Sequence, residues 1–265
     1  MTVDISPLGM ILAYVLFFLV FLLSHINRLE INRDLIISTL RMSLQLFLIG
    51  GILIYIFELE SPLIITAVFL VMVFFGAWTI MERSGVTFLP IFFSLFFSLI
   101  LGSGFVLIFY LLLVVGVSPW YDPQFFIPLA GMIIGNSMNG STLAVERFFN
   151  GVRDNRLEIE TRATLGANAR EASLKIFKQA YRAALLPTLS SMTGMGIVFL
   201  PGMMTGQILG GTPPLIAIKY QITIMLGILA SVALCSLLVL FFERRFLFSS
   251  LDLPRYHLFD KKPRG

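Results

Sequence analysis

Apolar runs alternate with short polar breaks along almost the whole chain. The runs cover residues 8–23, 35–57, 63–80, 88–115, 125–145, 183–200 and 215–242. A membrane-crossing helix needs about 20 such residues. The pattern therefore predicts an all-α, polytopic membrane protein of about seven transmembrane helices, forming a single domain over 1–265. A straight helix over 88–115 would be about 42 Å long against a hydrocarbon core of about 30 Å. Tilt, or a kink near Gly102, Ser103 and Gly104, is expected to absorb the excess. Asp4 is the only charge before the first run, and no small-residue cleavage pattern follows it. This predicts an uncleaved first span with the N-terminus outside.

The longest break, 146–182, is of another kind. It carries Arg147, Arg153, Arg156, Arg162, Arg170, Lys175, Lys178 and Arg182 against Glu146, Asp154, Glu158, Glu160 and Glu171. At about 2.5–3.5 kcal/mol for each charge placed mid-bilayer, such a segment cannot span and must face water. Helix formers run over 157–165, Gly166 interrupts them, and Asn168 with Glu171 three residues on has the spacing of a capping box, so a second helix is expected from about Ala169. Leu174, Phe177 and Tyr181 share one face of that helix and Glu171, Lys175, Lys178 and Arg182 another. The expectation is two short helices joined by a glycine bend, the second lying at the interface and leading into the run at 183. By charge alone an ordinary solvated connection explains the segment equally well.

Composition narrows the class. With 57% hydrophobic and 13% charged residues and a mean hydropathy of +0.92, a water-soluble domain of this length is excluded. The net charge of +4 does not point to nucleic acid, because the basic residues cluster in the breaks of one side while Asp4, Glu58, Glu60 and Asp122 fall in those of the other. That asymmetry places the charged loop and the tail 243–265 in the cytoplasm of a cell whose plasma (inner) membrane the chain crosses. The single Cys235 excludes an internal disulfide and a cysteine metal cluster, and neither His25 nor His257 has a metal-binding context. No internal repeat stands out, which disfavours an inverted-repeat carrier.

Within the spans the polar and small residues are few. Residues 131–142, GMIIGNSMNGST, mimic a phosphate loop but lack its lysine and any strand upstream. Gly131 and Gly135 would permit close helix contact, and Asn136 and Asn139 either bond between helices or line a polar path. Over 200–214, Gly202, Gly206 and Gly210 recur every fourth residue between helix-breaking prolines, as in a packed loop or a re-entrant hairpin. Met138, Met203 and Met204 read as packing residues or as soft-metal ligands, thioethers suiting Cu(I) better than iron. Arg41 and Lys219 either snorkel or hold an anionic group, with Gln45 and Gln221 as neighbours. These amides, thioethers and cations form the candidate translocation path, with metal ligands unassigned. The spans hold no aspartate, glutamate or histidine, which disfavours an intramembrane enzyme.

Glu160, Ala163, Leu165, Gly166 and Ala167, followed by an amphipathic stretch and Leu186–Pro187, resemble the EAA-type loop of ABC-transporter permeases. IPLAGMIIGNSMN (127–139), ATLGA (163–167), RAALLPT (182–188), LPGMMTG (200–206) and AIKYQI (217–222) further resemble the FetB-type permeases, described as iron exporters, over roughly Arg41 to Gln221. The resemblance implies a non-enzymatic permease that pairs with a second copy of itself and with two separately encoded ATPase subunits. ATP and Mg would be bound by those partners and no cofactor by this chain. Glu158, Glu160, Arg162, Ala163, Leu165, Gly166 and Ala167 would form the coupling element. Iron or a related metal as cargo comes from the resemblance alone. An exporter of a small organic or nucleotide-sugar-like anion, and a stand-alone carrier or channel, remain the alternatives.

Overall fold

The computed structural model describes residues 5–58, 61–85, 89–249 and 252–255. Lys261, Lys262 and Arg264 of the expected tail lie outside them. Among the described residues every regular element is helical: α1 (Pro7–Ile26), α2 (Asn32–Glu58), α3 (Pro62–Ser84), α4 (Leu89–Phe109) running into a π-helical turn (Tyr110–Val115), α5 (Pro123–Asp154), α6 (Arg156–Thr164), α7 (Ala169–Gly194), α8 (Gly202–Leu209) and α9 (Pro214–Leu247). Proline in the first turn of α1, α3, α5 and α9 starts four of the long helices where a missing N–H costs nothing.

α5 and α9 form the central pair. α5 packs on α3, α7 and α9, and α9 packs in addition on α4 and α7. Their main core joins Ile65, Val73, Leu95, Leu99, Ile133, Ile224, Val232 and Cys235. A second core lies at the far end of the same pair, where Phe148 and Val152 of α5, Ile159 of α6, Ile176 and Ala180 of α7 and Leu247 of α9 meet. α1 and α2 stand apart as a hairpin, linked across by the Tyr14 hydroxyl and Ser43 Oγ at 2.7 Å, and α2 has no buried residue.

Several expectations change. Among the described residues, α1, α2, α3, α4 with its π turn, and α9 are the five helices long and apolar enough to cross a membrane. The fifth and sixth expected spans fall in α5 and α7, which extend well beyond the apolar runs. α7 is one helix of 26 residues, so the amphipathic stretch and the sixth run are not separate elements. The run ends at Gly194 rather than 200, because the chain turns there through Gly196 at φ +83°, with Gly196 N–H donating to the Phe199 carbonyl at 2.9 Å. α4 stays helical through Gly102–Gly104, and its irregularity falls instead in the π turn, where the Tyr110 hydroxyl meets Thr223 Oγ1 at 2.9 Å.

Of these glycines, Gly102 serves packing. A β-carbon at Gly102 would stand 2.5 Å from Cys235 Sγ and 3.0 Å from its backbone nitrogen, so only glycine lets α4 and α9 cross there. Gly140 does the same for α5: a β-carbon would lie 2.6 Å from Val232 Cγ1 of α9 and 3.1 Å from the Ala184 carbonyl oxygen of α7. By contrast, a β-carbon at Gly131 would meet only the Met72 methyl at 3.6 Å, and Gly135, Gly202 and Gly206 face open space within this chain. Gly210 would meet only carbonyls of its own helix. Residues 202–209 form the short helix α8, with Met204 buried.

Candidate functional site

Two places concentrate the polar chemistry: the elbow joining α5 to α7, and a groove between α2, α3 and α5.

The elbow is built from local rules. α5 ends at Asp154, where the Asn155 side chain donates to the Gly151 carbonyl at 2.8 Å. α6 then runs for nine residues, too short to be stable alone. It is held by one side chain: Ile159 is 1% exposed inside the second core. Two exposed ion pairs brace the helix along its length, Arg156 Nε to Glu160 at 2.9 Å and Arg162 Nη2 to Glu158 at 2.7 Å, each between residues four apart. On the side away from Ile159, Leu157 is 78% and Leu165 83% exposed, with Thr161 exposed between them. Apolar side chains this bare, on a rigidly seated helix rimmed by paired charges, form a projecting contact surface.

The bend follows. Gly166 sits at φ +90°, in the left-handed region open to glycine. Its N–H donates to the Ala163 carbonyl, and the Ala167 N–H to the Arg162 carbonyl, both at 3.0 Å. α7 starts with a complete capping box: the Glu171 N–H donates to Asn168 Oδ1 and the Asn168 N–H to Glu171 Oε2, each at 3.0 Å. The expected coupling residues Glu158, Glu160, Arg162, Ala163, Leu165, Gly166 and Ala167 thus lie on one continuous element.

Sequence reasoning missed two contributors from the chain's end. Asp252 Oδ1 accepts from the Ala169 N–H at 3.0 Å, so the tail doubles the cap on α7 across 83 residues of sequence. Glu243, expected at the start of a solvated tail, is 1% exposed within α9, and its Oε2 has no hydrogen-bond partner among the described residues. The next residue, Arg244, lies over the Phe177 ring of α7 at 5.3 Å. Nothing in the local pattern at 243–252 signals these contacts, because both depend on where α7 begins in space.

The groove has a volume of about 550 Å³. It is lined by Ser38, Arg41 and Gln45 of α2, Thr79 and Arg83 of α3, and Met138 of α5, among apolar neighbours. It brings together Arg41, Gln45 and Met138 from the expected path, beside Gly131 and Gly135, which were expected as helix-packing residues. Asn136 and Asn139 point elsewhere: both are exposed, and Asn136 Nδ2 donates to the Met132 carbonyl of its own helix at 2.8 Å. Met203 and Met204 belong to α8, while on α9 Lys219 is exposed and Gln221 buried, so those four do not join the groove. Among the described residues no three histidines, cysteines or carboxylates gather as a metal site.

Residues 7–248 match the family described as "Uncharacterised protein family (UPF0014)". The chain is 38% identical to "UPF0014 membrane protein slr1647" of Synechocystis over 75% of its own length and 77% of the relative's. It is 32% identical to "Probable iron export permease protein FetB" of Escherichia coli over 93% and 94%. Identity to "Protein ALUMINUM SENSITIVE 3" of Arabidopsis thaliana is 33% over 80% and 77%. No solved structure matches significantly.

Proposed function

The chain belongs to the UPF0014 family of membrane proteins, and from that premise we propose that it is the permease subunit of an ATP-driven ABC transporter, exporting iron or a related metal species. It works as a homodimer with two separate ATPase subunits, which bind ATP and Mg. The observation that carries this reading is the elbow: α6 presents Leu157 and Leu165 outward while Ile159 fastens it to α5, α7 and α9. A partner that grips α6 moves the base of α7 with it, since the glycine bend and capping box leave no slack between them. The ATPase lies on the cytoplasmic side, and the N-terminus is outside.

The metal-bearing cargo follows the name of the Escherichia coli relative. The path runs along the outward face of α5, where exposed Asn136 and Asn139 offer amides rather than the carboxylates or imidazoles that bare iron prefers. A chelated metal suits that lining.

Proteoliposomes holding the chain with a candidate ABC ATPase test the reading. ATP should drive cargo movement, and the double variant Leu157→Asp, Leu165→Asp should abolish both ATPase stimulation and transport while leaving the melting temperature unchanged. Transport by the chain alone under an ion gradient would instead establish a stand-alone carrier.

A further inference from the structure

The groove between α2, α3 and α5 contains an arrangement that the proposed function does not use. Two cations, Arg41 and Arg83, line it with the neutral donors Ser38, Gln45 and Thr79, and no carboxylate is part of its lining. Among the described residues neither arginine has an acidic side chain within ion-pair distance, whereas Arg153, Arg156 and Arg162 are each paired. An arginine projecting from a membrane helix is costly unless its head reaches water, a headgroup or an anion.

The level of the groove matters as much as its charge. Arg83 is one residue from the end of α3 at Ser84. Arg41 lies nine positions into α2 from Asn32, about 14 Å at 1.5 Å per residue. Only residues 59–61 separate α2 from α3, so two successive spans run in opposite directions and the start of one and the end of the other share a membrane face. By the same alternation this is the face of the α5–α7 elbow. Ser38 and Thr79 lie between the levels of the two arginines; deeper in, the walls are Leu46, Met72, Phe75 and Ile134. The groove is thus cationic at the interface and apolar towards the bilayer centre, which is the polarity of an amphiphile with an anionic head.

We propose that this groove is a binding site for an acidic phospholipid of the leaflet on the elbow side, with Arg41 and Arg83 holding the phosphate group and the deeper apolar wall taking an acyl chain. A basic pocket between spanning helices on that side is a known physical solution for anionic headgroups. The guanidinium fork matches phosphate oxygens in pairs, and Gln45, Ser38 and Thr79 supply further donors. The bound lipid fills the gap between the α1–α2 hairpin and the bundle, where protein packing is sparse. This assignment gives Arg41 and Gln45 to lipid rather than to the translocation path. It stands apart from the proposed function, since it needs neither ATPase nor cargo.

The test uses the purified full chain, delipidated in detergent and titrated with phosphatidylglycerol, phosphatidylcholine or glycerol 3-phosphate, with bound molecules read by native mass spectrometry. Phosphatidylglycerol should be retained about tenfold over phosphatidylcholine. The double variant Arg41→Gln, Arg83→Gln should abolish that preference, while Arg41→Lys, Arg83→Lys keeps most of it and shows that charge rather than folding is responsible. Arg153→Gln, outside the groove, should leave the preference intact. Equal retention of the two lipids, or an undiminished preference in the Gln double variant, overturns the proposal. Competition by glycerol 3-phosphate as strong as by phosphatidylglycerol also overturns it, by showing a site for soluble phosphates.

Discussion

The α1–α2 hairpin and the bundle helices α4 and α9 are almost equally apolar, yet they are built differently. The best windows of α1 and α2 have mean hydropathies of 2.4 and 1.9 with 6% of residues buried; those of α4 with its π turn and of α9 have 2.6 and 2.7 with 50% buried. Hydropathy does not separate these helices, because lipid tails solvate an apolar helix as well as another helix does. Small residues at crossing points do. In the bundle, Gly102 and Gly140 sit where a β-carbon would strike a neighbouring helix, and Ser137 and Ser231 meet at 2.7 Å across α5 and α9. In the hairpin, Gly50 and Gly51 have nothing within 4 Å. The bundle is held by close approach, while the hairpin leaves its surface bare.

Breaking a crossing gives the largest effect. Gly140→Leu should cost about 3 kcal/mol, since Val232 can shift but the Ala184 carbonyl belongs to a helix backbone. Gly50→Leu should stay within about 0.5 kcal/mol. Thermal unfolding in detergent compares the two, and equal losses would place the hairpin inside a packed interface after all.

The elbow, as an outpost of the bundle, comes next. Ile159→Ala should cost about 2–3 kcal/mol by opening the second core, and limited proteolysis should then cut between α6 and α7. Leu157→Ala, on the exposed side, should leave both stability and cleavage unchanged. Smaller still is the cap supplied by the tail: Asp252→Ala should lower stability by about 1 kcal/mol, with faster amide exchange confined to the first turn of α7. The smallest is Arg162→Ala, which removes an exposed ion pair and should cost no more than about 0.5 kcal/mol in the same melts.

The elbow was the most legible part of the chain. Asn168, Glu171 and Gly166 act through bonds to residues two to four positions away, so their spacing alone announces the cap and the bend, and both are present in the structure. The limits of α7 were less legible, because neither its charged first half nor Pro187 interrupts a helix that packs along α5 and α9. Hydropathy marked where lipid can cover the chain but not where a helix stops. The groove was half visible: Arg41 and Gln45 lie one turn apart on α2, but Arg83 reads as a loop charge until α3 is set beside α2.

Sequence by itself determined the class, the family and the local geometry of the elbow, since composition, helical period and capping act over a few residues and need no partner. Tertiary structure alone decided which glycines mark crossings, that Asp252 reaches α7, that Glu243 is enclosed, and that two arginines from different helices share one groove. Those outcomes depend on how helices distant in sequence lie against one another. In a membrane that choice rests on shape and close contact, which an apolar run does not encode in its hydropathy.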